Sequence, residues 1–91
     1  MLPRDQRVAE IRRRLEAAFQ PVALEVIDDS HKHAGHEGAR DGRGHFSVQI
    51  SAEAFRGKPT LAQHRAIYAA LGALMSTDIP ALAIKSGAPQ A

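Results

Sequence analysis

This sequence predicts an α+β domain: a single three-stranded mixed sheet covered by helices on one face. Three patterns predict it. Apolar residues recur at spacings of three and four across residues 3 to 19, and again from Leu61 to Met75, as in helices with one buried stripe. Apolar and polar residues alternate through 45–50, and the apolar run 22–27 sets Val22, Leu24 and Val26 on one side, as in strands with one buried face. A last short run, Ala81 to Lys85, follows the second helical stretch, and a strand–helix–strand crossover favours a parallel pair.

In the first helix Val8, Ile11, Leu15 and Phe19 form the stripe, and Pro3 suits a first turn where no amide donor is needed. Arg4, Arg7, Arg12, Arg13 and Arg14 are read as lying mostly off that stripe, on a solvated basic face. Pro21 ends the helix. Val22, Leu24 and Val26 then face one way and Ala23, Glu25 and Ile27 the other. In the second strand Phe46, Val48 and Ile50 alternate with His45, Ser47 and Gln49, and the two strands pair antiparallel. His45 falls on the exposed face or at the mouth of its strand. Ser51 to Lys58 reads as a short helical turn anchored by Phe55 and closed by Gly57.

Pro59 interrupts the chain. Thr60 and Gln63 have the T-x-x-Q spacing of a capping box at the start of the next helix. Ile67, Leu71 and Leu74 form its stripe, with His64 at the edge; such a helical histidine serves as a packing residue or faces outward as a ligand. Residues 76 to 80, STDIP, read as a turn, and Leu82 and Ile84 point inward from the last strand. The expected core is Phe19, Leu24, Val26, Phe46, Val48, Ile50, Ile67, Leu71, Leu82 and Ile84. One domain occupies residues 1–91, with its core over about 4–86 and a frayed tail from 87 to 91.

The 91 residues leave room for one modest core, and 44% are hydrophobic. No cysteine is present, which excludes disulfides, protein thiolate ligands and a Cys nucleophile. No stretch reads as a signal peptide or a transmembrane span, so a cytoplasmic protein without membrane contact is the expectation. A formal charge of +2 is too small to argue for nucleic acid by itself.

The segment from Asp28 to His45 carries four of the five histidines: His31, His33, His36 and His45. Its charged residues and glycines disfavour helix and strand, so it joins the two strands as a long loop, expected to be most mobile over residues 29 to 44. It is either a solvated connection or a source of imidazole ligands. An enzyme is the least supported class: no nucleophile elbow or phosphate loop is present, and the adjacent Asp28 and Asp29 point apart. A second class is nucleic-acid binding, in which Arg56, Lys58 and Arg65 contact phosphates and Gly57 permits close approach.

The runs LEVIDDSHKHAGH, HFSVQIS, AFRGKPTLAQHRAIYAAL and IPALAI resemble the BolA family across roughly residues 7 to 85, with F-x-G-K followed by H-R as the specific combination. The resemblance implies a class II KH-like αββααβ domain. It also implies a monothiol glutaredoxin as partner in iron–sulfur trafficking or iron regulation, with a 2Fe-2S cluster shared between this chain, glutaredoxin and glutathione; some members are described as DNA-binding transcriptional regulators. Alone, such a chain is a monomer or weak homodimer. Imidazole can replace thiolate on one iron of such a cluster. The family's loop ligand matches His33, whereas its second histidine, just before the final strand, is here Pro80, which cannot ligate iron. Three readings follow: His64 substitutes, or another of His31, His36 and His45 does, or the chain pairs with glutaredoxin while holding the cluster weakly.

Overall fold

A computed structural model describes residues 2–29, 44–79 and 81–90. A 3-10 turn at Arg4–Gln6 leads into helix α1, Arg7–Phe19, so the first part of the expected helix is tighter than α. Gln20 ends it in the left-handed conformation (φ 44°), with its amide returning to the Glu16 carbonyl, and Pro21 prevents continuation. Strands β1, Ala23–Asp28, and β2, His45–Ser51, pair antiparallel, with Val26 opposite Val48. Helix α2, Thr60–Leu71, and a one-turn helix α3, Leu74–Thr77, carry the chain across to β3, Ala81–Gly87. β3 lies parallel to β2, Phe46 beside Leu82, and the sheet order β1-β2-β3 makes β2 central. The α+β class and the mixed sheet stand as the sequence predicts.

Phe46, Val48 and Ile50 of β2 are buried against the helices, together with Ile67 and Leu71 of α2. Phe19, Leu24, Val26, Leu82 and Ile84 belong to the margin of the core rather than its centre. For the four strand residues the reason is topological: β1 and β3 are the sheet's edges, while β2 has strands on both sides, and Phe19 is the last residue of α1. Ile11, Leu15, Phe55, Leu74 and Ile79 fill the centre with the β2 residues. Val22 precedes β1 and is 70% exposed, so it does not join the inward set, although its amide bonds the Ser51 carbonyl.

In the stretch read as a turn over 76–80, Ser76 and Thr77 are helical. α3 ends at Thr77, and Asp78 and Ile79 are buried behind it. The T-x-x-Q capping box does not form either. Pro59 takes the cap position, and the Gln63 side chain instead donates to the carbonyls of Lys58 (2.9 Å) and Phe55 (3.4 Å) while accepting from the Ser86 hydroxyl (2.7 Å). Among the described residues of the stretch from 87, Gly87 is the last residue of β3 and its carbonyl accepts the Ala52 amide, and the Pro89 carbonyl accepts from Arg56.

Between Phe55 and Pro59 the chain turns through Gly57 at φ 79°, where a Cβ would meet no heavy atom within 4 Å. Only backbone strain opposes a side chain there. Gly57→Ala is expected to cost about 1 kcal/mol, the usual penalty of the left-handed region. Urea unfolding of the variant checks this, and no loss would mean that the turn relaxes.

Candidate functional site

Three chain segments meet at one end of the sheet. The Asp29 amide donates to the His45 carbonyl at 2.7 Å, closing the β1–β2 connection on itself. The Gly44 amide donates to the Asp78 carbonyl at 2.9 Å, tying that connection to the approach to β3. His45, the first residue of β2, lies beside Ala81, the first of β3. The Ser47 hydroxyl donates to the Asp29 carboxylate and fixes the outgoing end of β1. His45 is half-buried, and strand alternation sets its side chain opposite to the inward-facing Phe46.

His31, His33 and His36, with most of the segment expected to be mobile, lie outside the described residues, as does Pro80. His64 is half-buried on α2 at the far end of the sheet. Its neighbour Gln63 bonds Ser86, which pairs with Ile50, whereas His45 pairs with Ala81. At about 3.3 Å per residue, those two levels of β3 are about 16 Å apart. Among the described residues, no group of three or more His, Asp or Glu side chains could hold a metal ion.

The polar centre of this end is a pair that sequence reasoning missed. Arg7 is 4% exposed and Asp78 is 2% exposed, and the guanidinium Nε donates to the carboxylate at 3.1 Å. The Leu2 amide (2.8 Å) and the Thr77 hydroxyl donate to the same carboxylate. Burial alone would push the Asp78 carboxyl up; the Thr77, Leu2 and Arg7 donors outweigh it and hold it below the ordinary aspartate value. Arg7, Ile11 and Leu15 are spaced by four, so Arg7 lies on the helix stripe rather than off it. That spacing was the available signal; its charge concealed it.

The other arginines of α1 are also committed to structure. Arg14 donates to the Leu71 carbonyl at 2.7 Å, where it caps the C-terminal end of α2, and Arg12 donates to the Leu24 carbonyl on edge strand β1. Hydrogen bonds from Arg13 and Arg14 hold the Glu10 carboxyl down at about 2. The basic face is thus largely internally neutralised.

Of the candidate nucleic-acid residues, Arg56 is occupied by Glu53 and the Pro89 carbonyl. The hydrogen bond from Arg56 lowers the Glu53 carboxyl's pKa. Lys58 and Arg65 are exposed, and neither side chain enters an ion pair or hydrogen bond among the described residues. Gly57 leaves open space between Arg56 and Lys58. Of these three candidate cations, two are therefore uncommitted among the described residues.

The family model described as BolA-like protein matches residues 15–91. The DNA-binding transcriptional regulator BolA of Escherichia coli is 42% identical over 74 residues, which are 81% of this chain and 68% of that protein. SufE-like protein 1, chloroplastic/mitochondrial, of Arabidopsis thaliana is 40% identical over 84 residues, 87% of this chain but 23% of that protein. The solved BolA domain of SufE1 from Arabidopsis thaliana has a TM-score of 0.81 at 37% identity, covering 98% of this chain and 96% of that one.

Proposed function

Because the chain belongs to the BolA-like protein family, we propose that it is an interaction module, not an enzyme. It pairs with a monothiol glutaredoxin in iron–sulfur cluster assembly, trafficking or iron regulation. The observation that carries this reading is the meeting of both ends of segment 30–43 with the start of β3. In the family pattern the two imidazole ligands come from that loop and from the residue before that strand, so one end of the sheet serves both.

The donor chemistry fits a shared 2Fe-2S cluster. With no cysteine, this chain can offer only imidazoles or carboxylates, and the thiolates come from glutaredoxin and glutathione. His33 is the loop ligand that the family pattern assigns. Where residue 80 is proline, His45 is the histidine rooted on the sheet at that end, while His64 is rooted at the other. His31 and His36 are the remaining loop donors. Bound there, the cluster supplies a redox-active iron centre held jointly by two proteins. A ligand from a strand leaves less chain to be ordered on binding than one from a loop. Replacing the family's sheet histidine by Pro80 weakens this chain's share.

Co-expression with a monothiol glutaredoxin, followed by visible absorption and circular dichroism of the complex, tests the reading. The natural chain is expected to form the heterocomplex with a cluster that is lost readily under limiting glutathione. Pro80→His is expected to retain it longer, and adding His33→Ala removes that gain. His45→Ala weakens the natural complex, whereas His64→Ala leaves it unchanged. Absence of any heterocomplex would overturn the proposal; loss of the cluster on His64→Ala alone would transfer the ligand role to His64.

A second reading, DNA binding, is favoured by the name of the Escherichia coli relative and by the uncommitted Lys58 and Arg65. Two phosphate contacts give a shallow salt slope, about −1.8 in log affinity against log salt. DNA binding with a slope near that value would favour this reading, and binding that does not change with salt would remove it.

A further inference from the structure

The open face of the sheet carries two adjacent cross-strand rows of different height. Glu25, Gln49 and Lys85 stand in register across β1, β2 and β3, one long polar side chain per strand. The next row is Ala23, Ser51 and Gly87, all small. The step between the rows forms one side of a concavity of about 460 Å³, and Ala88 and Gln90 line it as well. That tail is anchored at both ends of the wall. The Ala52 amide holds the Gly87 carbonyl at 3.0 Å, and Arg56, itself fixed by Glu53, holds the Pro89 carbonyl at 2.9 Å.

The charges over this concavity are opposite and unspent. Glu25 and Lys85 are exposed, and neither side chain enters an ion pair or hydrogen bond among the described residues. They flank Gln49, whose amide can both donate and accept. Two strand spacings separate their backbones, about 9.6 Å. A group satisfying both must carry a cation and an anion several ångströms apart, with a polar middle.

We propose that this concavity binds a short peptide with free termini, of two or three residues. Its ammonium meets Glu25, its carboxylate meets Lys85, and its internal amide meets Gln49. An extended peptide rises at most about 3.3–3.6 Å per residue, so two or three residues bridge the two charges once each contact takes up its own hydrogen-bond length. A single amino acid has no internal amide to meet Gln49. The site lies at the end of the sheet away from His45 and is independent of the cluster reading. Because both charges face solvent, the affinity is weak, on the order of millimolar.

The test is a titration of the whole ¹⁵N-labelled chain with trialanine, N-acetyl-trialanine, trialanine amide and alanine. Trialanine is expected to give saturable shifts at the Gln49, Ser51 and Gly87 amides. Each blocked peptide is expected to bind about threefold or more weakly, as is typical of losing one exposed ion pair. Glu25→Gln should weaken trialanine binding but leave the acetylated peptide's affinity unchanged, and Lys85→Gln should do the same for the amide. The proposal is overturned if no shift saturates, if the blocked peptides or alanine bind as well as trialanine, or if the variants bind as the natural chain does.

Discussion

Asp78→Ala is expected to destabilise the protein by about 3–5 kcal/mol at neutral pH, the usual result of leaving a buried charge without its partner. Arg7, with 4% of its surface exposed, would keep its positive charge and lose the carboxylate that neutralises it. The Leu2 amide and Thr77 hydroxyl would lose their acceptor as well. Removing both charges is a different experiment. Arg7→Met with Asp78→Leu should recover most of the loss, since well-packed apolar replacements of a buried pair are often neutral or stabilising. Urea unfolding of the two single variants and the double variant closes the cycle.

The same pair sets a pH dependence. The folded-state pKa of Asp78 is depressed, so its contribution is complete above the unfolded value of about 3.8 and is lost as pH falls through the lower folded value. In Asp78→Ala the acid limb of the stability profile should therefore be shallower. An equally steep limb would assign acid unfolding to other carboxylates.

Phe55→Ala is expected to cost about 3–5 kcal/mol, the range for removing a buried aromatic ring. Phe55 is 1% exposed, and its ring centroid lies 4.8 Å from that of Phe19 at an interplanar angle of 45°. Offset aromatic pairs of this kind contribute about 0.5–1.5 kcal/mol beyond their buried area. The Phe55 carbonyl also accepts from the Lys58 amide and the Gln63 side chain, so the ring anchors the turn that launches α2. Domains of this size have about 5–15 kcal/mol in total, which would leave the variant marginal. Phe55→Leu should recover a large part of the loss. A cost for Phe55→Ala below about 1 kcal/mol in urea unfolding would show that the surrounding side chains collapse into the space.

The strands were legible because strict alternation in Phe46, Val48 and Ile50 has no helical counterpart, and the parallel β3 followed from the length of the crossover. Phe55 was legible as an apolar residue isolated in a polar turn. The segment STDIP was not, because its small and polar residues suit a turn locally while tertiary packing buries Asp78 and Ile79. Thr60 and Gln63 have the spacing of a local cap, but the Gln63 amide reaches more partners across the fold, including Ser86, than a cap would give it. The arginines of α1 read as a basic face because composition does not show that Arg12 and Arg14 reach carbonyls on other elements. At the candidate site, residue types pointed to His45, but only the pairing of β2 with β3 separates it from His64.

The position of β2 between two partners of opposite direction also orders the ways in which the native state can open. An edge strand can detach by breaking one ladder, and β1 or β3 can each do so while the remaining pair persists. Release of β2 requires both ladders to break, together with exposure of Phe46, Val48 and Ile50, so it coincides with global unfolding. His45 and Gly44 thus hang from the last strand to let go, and local opening of β1 can expose that end of the sheet without dissolving the core.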